Sequence, residues 1–194
     1  MAKEQTLVIL KPDAVARNKE GLVSKIVARI KDEGLTLVAW RASITPTQKN
    51  LDEHFPSSKQ WITDMGARAR KRIKDDYKED PTKYFFGIQT DHETGVHLIQ
   101  GCRRYYLSGP LCVGVFEGEN AVLRTRELIG HTMPSRARKG TIRGDCGVKE
   151  DREELRNGAA RNLIHASDSV EEAKREIAVW IEWFNEEDRT YLNS

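Results

Sequence analysis

Residues 6–13 read Thr-Leu-Val-Ile-Leu-Lys-Pro-Asp. Five strand-forming residues in a row, stopped by a lysine and a proline, predict a short buried strand. Beyond it, Leu22, Val23, Ile26, Val27 and Ile30 recur at helical spacing, and Gly34 is a natural C-terminal stop. Leu35 to Ile44 is apolar and partly alternating, which reads as a second strand. Thr45-Pro46-Thr47-Gln48 opens a helix toward Leu51 and Phe55. The pattern then returns: Leu111-Cys112-Val113-Gly114-Val115-Phe116 as a strand, Asn120 to Ile129 as a helix closed by Gly130, and Asn162-Leu163-Ile164-His165 as a brief strand. Ser169, with Glu172 three residues on, fits a capping box for a last helix. Val170, Ala173, Ile177, Trp180, Ile181 and Phe184 give that helix an apolar face. The order is β-α-β, a helical excursion, β-α-β and a final helix. It predicts an α+β, ferredoxin-like sandwich, with helices covering one face of a four-stranded antiparallel sheet.

The excursion has a different character. Residues 56–104 are charge-dense and poor in apolar periodicity, with Gly66, Pro81, Gly87 and Gly95 as punctuation. Only Ala67 to Tyr77 suggests a helix there. We read the stretch as an insertion in a single domain spanning residues 1–194, with 131–160 mostly loop and a second insertion at 147–160. Arg68, Arg70, Lys71, Arg72 and Lys74 form a basic run, followed at once by Asp75, Asp76, Glu79 and Asp80. That alternation favours a solvated, salt-bridged helix over a nucleic-acid patch.

Bulk composition excludes more than it selects. A chain of 194 residues can bury a core without staples. Thirty-two basic and 30 acidic residues leave a net charge of +2, which singles out no partner. No stretch approaches the ~18 apolar residues of a membrane span, so a membrane partner is not expected. Cys102, Cys112 and Cys146 form no C-x-x-C pair and are odd in number, against a disulfide framework or zinc site. Met1 to Gln5 lack the apolar run of a signal peptide. The expectation is a cytoplasmic protein.

The chemistry-bearing residues stand at the ends of apolar elements. Lys11-Pro12-Asp13 ends the first strand, Arg126 lies on the helix after the third, and Thr132 just beyond that helix. Gly140-Thr141-Ile142-Arg143-Gly144-Asp145 is a Gly-bracketed loop, and His165 ends the last strand. Such an arrangement gathers three cations and a nucleophile. Phosphoryl transfer needs that set, because its transition state spreads negative charge over several oxygens. Arginine forks grip phosphate bidentately, lysine acts as a point charge, and a neutral imidazole is a competent nucleophile near neutral pH. Taken singly, each feature has a plainer reading: a core histidine for His165, a surface turn for 140–145, a solvated helix residue for Glu176.

Together they do not stand singly. Asn162 to Ser169 (NLIHASDS) closely resembles the active-site signature of nucleoside diphosphate kinases. Four more blocks match that family in order: Thr6 to Asp13, Ser108-Gly109-Pro110, Glu117 to Val122 (EGENAV), and Gly140 to Asp145. The resemblance implies transfer of the terminal phosphoryl group of a nucleoside triphosphate to a nucleoside diphosphate, through a phosphohistidine at His165. It implies Glu176 and Ser167 as the partners of that histidine, and Lys11, Arg126, Thr132 and Arg143 as phosphate ligands. Asn162 would contact the sugar and the bridging phosphate oxygen. Magnesium would arrive with the nucleotide, and Asp168 would meet it through water. Two departures concern the base. Phe55 stands where many members have tyrosine, and Leu98 falls near the usual stacking phenylalanine, leaving Leu98, or Phe85 or Phe86, to cover the base. A homo-oligomer is implied, although Lys139 replaces a common proline in a loop linked to subunit packing. The alternative is a nucleotide- or nucleic-acid-binding regulatory protein on an inactive kinase scaffold.

Overall fold

The computed structural model describes residues 3–192. Four strands, β1 (Lys3–Leu10), β2 (Thr36–Ile44), β3 (Leu111–Glu119) and β4 (Ile164–Ala166), form one antiparallel sheet in the order β2-β3-β1-β4. The helices are, in chain order, α1 (Pro12–Ala16), α2 (Leu22–Asp32), α3 (Gln48–His54), α4 (Lys59–Tyr77), α5 (Pro81–Tyr84) and α6 (Asp91–Tyr106), followed by α7 (Ala121–Ile129), α8 (Ile142–Cys146), α9 (Arg152–Arg156), α10 (Val170–Trp180) and α11 (Glu186–Leu192).

Helices cover both faces of the sheet, where the sequence reading expected one. The reason lies in β1: Thr6 to Leu10 are all fully buried, so neither side of this strand meets water. Val8, Leu10 and Phe116 pack with Leu22, Ile26 and Ile30 of α2 and Ile129 of α7. Leu7, Ile9 and Val113 point the other way, to Leu51 of α3, Tyr105 and Tyr106 of α6, and Ile177 and Trp180 of α10. An uninterrupted apolar run, instead of an alternating one, is what a strand covered twice requires.

The 56–104 stretch holds a helical hairpin. α4 begins eight residues before the expected 67, and α6 was not expected at all. Ser58 caps α4, and Thr90 with Glu93 forms a capping box for α6. The two helices cross backbone to backbone: a Cβ on Gly66 would stand 1.8 Å from the Asp91 carbonyl oxygen, and one on Gly95 1.9 Å from that of Ile62. Glycine occupies the places where apolar ridges usually meet, which is why hydrophobic periodicity was weak. Two members of the basic run on α4 are paired: Lys71 with Asp75, and Arg70 with Asp91 at 3.3 Å. Ile73, Tyr84 and Phe85 form a satellite core with Leu98 and Leu155 against them. Leu155 belongs to α9, so residues 56–104 and 147–160 pack on each other.

Candidate active site

β4 decides which way the candidate nucleophile faces. Ile164 and Ala166 enter the α2/α7 core, and His165, paired with Ile9, takes the opposite face. That face carries α3 and α10, so His165 meets residues from both. Its entry is fixed by the first motif. Leu163 sits in the left-handed region at φ 68°, which a branched residue adopts only when held. Lys11 donates its backbone N–H to the Leu163 carbonyl at 2.8 Å, and Asp13 Oδ2 accepts the Leu163 N–H at 3.1 Å. Tyr105 donates its hydroxyl to Asp13 from the other side. The Lys-Pro-Asp end of β1 thus clamps the turn that presents His165.

His165 Nε2 lies 2.8 Å from Glu176 Oε1. Ser167 donates its hydroxyl to Glu176 Oε2 at 2.6 Å and accepts the Leu7 N–H at 3.1 Å. Burial alone would raise the Glu176 carboxyl, but the His165 charge and hydrogen bond, His54 and the Ser167 hydroxyl outweigh it and hold the group at about 2. An ionised carboxylate only accepts, so His165 Nε2 carries the proton and the lone pair is left on Nδ1. Nδ1 has no hydrogen-bond partner among the described residues.

His165 opens on a cleft of about 370 Å³ whose walls include Lys11, His54, Arg126, Thr132, Arg143, Asn162, Asp168 and Glu176. Lys11 Nζ donates to Asn162 Oδ1 at 2.6 Å and lies over the rings of Tyr106 and Tyr105 at 5.5 and 5.7 Å. Burial, then the nearby Arg143 charge, pull its ammonium down to about 8. Arg143 is 7% exposed and donates to three carbonyls, those of Asn162 (3.0 Å), Gly130 (2.9 Å) and Ile164 (2.6 Å). Burial lowers it to about 10. Thr132 accepts the Asn162 amide on its backbone oxygen at 2.9 Å. At the mouth, Arg126 pairs with Asp168. A fixed, partly desolvated positive field beside an imidazole that lines the cleft is suited to a polyanion whose terminal group is attacked.

Sequence reasoning missed His54. It ends α3, is 3% exposed, and meets His165 edge to face with ring centroids 4.8 Å apart. Its Nδ1 is 3.8 Å from Glu176 Oε1 and accepts the Trp180 indole N–H at 3.4 Å. Burial, then the charge on His165, lower it to about 3, so it remains neutral and does not compete with His165 for the carboxylate. Its one signal was a polar residue three positions after Leu51, on a buried stripe.

The base-contacting residues divide. Phe55 lines the cleft, whereas Leu98 does not. Leu98 packs into the satellite core with Ile73, Tyr84 and Phe85, because α4 and α5 offer it an apolar partner. Phe86 is 53% exposed under the Arg156 guanidinium and lies outside the cleft too. Trp61 and Met65 of α4, which the sequence did not single out, line it.

Comparison with known proteins gives the family. A family model described as Nucleoside diphosphate kinase matches residues 4–62 and 65–187. A nucleoside diphosphate kinase from Pyrobaculum aerophilum is 38% identical over 191 residues, covering 97% of this chain and 98% of that protein. A cytosolic one from Dictyostelium discoideum is 35% identical over 178 residues, 92% of this chain and 84% of its own. The crystal structure of an NDP kinase from Pyrobaculum aerophilum superposes with a TM-score of 0.84 at 37% identity, covering 96% of this chain and 98% of that one. A shared sheet, a shared chain length and a family match on both sides of the cleft leave one assignment: this chain belongs to the nucleoside diphosphate kinase family.

Proposed function

We propose that His165 Nδ1 carries the family's phosphoryl transfer in this chain. Nδ1 attacks the terminal phosphorus of a nucleoside triphosphate; the N–P bond forms as the P–O bond to the departing diphosphate breaks. The departing oxygen takes the electron pair. A second diphosphate then enters the same cleft and its terminal oxygen recovers the group, in ping-pong order. The observation that carries this reading is the tethering of Nε2 to an ionised Glu176, with Nδ1 free beside Lys11, Arg126 and Arg143. Glu176 orients the ring and offsets the positive charge it gains, and Ser167 holds Glu176. Lys11, Arg126, Thr132 and Arg143 bind phosphate oxygens, Asn162 the sugar and bridging oxygen, and Phe55 the base.

The family's reaction uses a divalent cation, and we assign magnesium. Among the described residues, the cluster with metal-ligand spacing is His54, His165 and Glu176, a nitrogen-rich set ill matched to a hard cation. Asp168, at the mouth beside Arg126, would be the carboxylate that holds a nucleotide-borne ion, through water. When bound, the ion neutralises phosphate charge; the side chains do the positioning. A homo-oligomer is supported by the edge position of β2 and the half-buried Val23, Val27, Leu37 and Trp40 beside it. No described helix is long and apolar enough to cross a membrane, and we assign the cytoplasm. The test is incubation with γ-labelled ATP and magnesium. Acid-labile label that GDP or CDP discharges, and that His165→Ala lacks, is expected; well-folded protein that takes no label refutes the reading.

A further inference from the structure

Beside His165 stands a second imidazole to which the reaction above gives no part. His54 ends α3, is 3% exposed, and is one of the walls of the cleft. We propose that His54 is a further catalytic residue: its Nε2–H donates a hydrogen bond to the phosphoryl group as that group moves to and from His165 Nδ1. This rests on the kinase reading above and adds a contact that the sequence did not suggest.

The place of the proton follows from the ring's neighbours. An indole N–H only donates, so His54 Nδ1, 3.4 Å from Trp180 Nε1, is the acceptor. Burial and the charge on His165 keep the ring neutral, and a neutral imidazole with a bare Nδ1 carries its one proton on Nε2. That N–H has no hydrogen-bond partner among the described residues. The buried polar side-chain atoms left unpartnered there are Thr6 Oγ1, Arg103 Nε, Thr125 Oγ1 and Trp183 Nε1, and His54 Nε2 is not one of them. It is therefore not sealed, and the space that His54 lines is the cleft.

The two rings stand in the same relation to Glu176. His165 turns Nε2 to Oε1 at 2.8 Å, and His54 has Nδ1 3.8 Å from that oxygen. The two nitrogens of an imidazole point away from each other, so His165 Nδ1 and His54 Nε2 both face away from the carboxylate. With the ring centroids 4.8 Å apart, a group held on one of these nitrogens comes within reach of the other. Neighbouring donors are already engaged: Lys11 on Asn162, Arg143 on three carbonyls, Arg126 on Asp168. The His54 N–H has no acceptor to give up. Its position is fixed as well. Arg175, beside Glu176 on α10, donates to the His54 carbonyl at 2.8 Å and to that of Glu53. Phe55, Tyr106 and Trp180 surround the ring with centroids at 5.2, 5.9 and 5.8 Å. A donor preset in this way needs no reorganisation as charge develops on the moving group.

The decisive comparison is between affinity for ADP with magnesium and affinity for the same pair plus vanadate, which takes up the geometry of a phosphoryl group in transit. Two substitutions separate the ring's two nitrogens. Asparagine places its oxygen where Nδ1 accepts from Trp180 and leaves nothing at Nε2; glutamine reaches the Nε2 position with an amide N–H. The gain in affinity that vanadate brings falls about 10- to 100-fold in His54→Asn, the range of one hydrogen bond to a charged group. In His54→Gln it stays within about threefold of wild type, and ADP alone binds both variants within about twofold. The single-turnover rate of His165 phosphorylation follows the same order. A gain within about twofold of wild type in His54→Asn, or equal losses in the two variants, overturns the proposal. So does the reverse order, which a residue serving Trp180 alone would give. The expected order in the vanadate complex, from protein that takes no label from ATP, keeps the donor and refutes the kinase reading instead.

Discussion

Replacing Glu176 by glutamine keeps the shape of the network and removes its charge. The amide oxygen still accepts from His165 Nε2, and the amide nitrogen can donate to Ser167. What is lost is the attraction between carboxylate and ring once attack makes the imidazole cationic. At the observed 2.8 Å, an effective dielectric of roughly 20 to 80 gives about 1.5–6 kcal/mol. His165 is 22% exposed on its side chain and Glu176 5%, so water screens one partner and the middle of that range applies, ~3–4 kcal/mol. The expected outcome is a fall of about 10²- to 10³-fold in the rate of His165 phosphorylation, read by quenched-flow single turnover with labelled ATP. Nucleotide affinity should change far less, because the charge is needed in the transition state more than in the ground state. The same substitution has a stability signature. The folded carboxyl, at about 2, lies below the ordinary glutamate value near ~4.3. Its contribution is therefore present above pH ~4.3 and lost as pH falls through about 2. Wild-type stability should decline over that window more steeply than Glu176→Gln. A phosphorylation rate within threefold of wild type would refute the assigned role of the carboxylate.

Two further outcomes follow from the buried cations. Because Lys11 titrates at about 8 in the free protein, its positive charge is present below that pH and lost above it. The kcat/KM profile should fall on the alkaline side near pH 8, and Lys11→Met should abolish that limb at about 10²- to 10³-fold lower activity. Arg143→Ala strands three carbonyls, of Gly130, Asn162 and Ile164. Urea melts should show a loss of about 3 kcal/mol or more, and a loss under 1 kcal/mol would contradict its structural share.

The legible parts of this molecule were those encoded within one element. Thr6 to Leu10 and Leu111 to Phe116 announced themselves as strands, and Ser169 with Glu172 marked the start of α10. The coverage of both sheet faces was also written in β1, as an apolar run without alternation, although the α+β pattern alone pointed to one face. What could not be read depended on partners supplied by other elements. α6 escaped because its contact with α4 runs through Gly66 and Gly95, where backbone replaces an apolar ridge. The resemblance placed Leu98 near the usual stacking position, but α4 and α5 decided which way it faces. The site follows the same division. His165 and the cations were marked by motif. Glu176 and Ser167 were implied by the resemblance, whereas their mutual hydrogen bond needs α10 set against the end of β4. His54 and Trp61 lie in no motif and became visible only once α3 and α4 were set against the cleft.

Phosphorus NMR of the phosphorylated protein under alkaline conditions distinguishes the two ring nitrogens of a phosphohistidine. A ring whose Nε2 proton is held by Glu176 must take the group on the other nitrogen, so a single Nδ1-phosphohistidine at His165, collapsing on addition of a nucleoside diphosphate, is predicted. A signal from Nε2-phosphohistidine, or phosphate on any residue other than His165, would contradict the account.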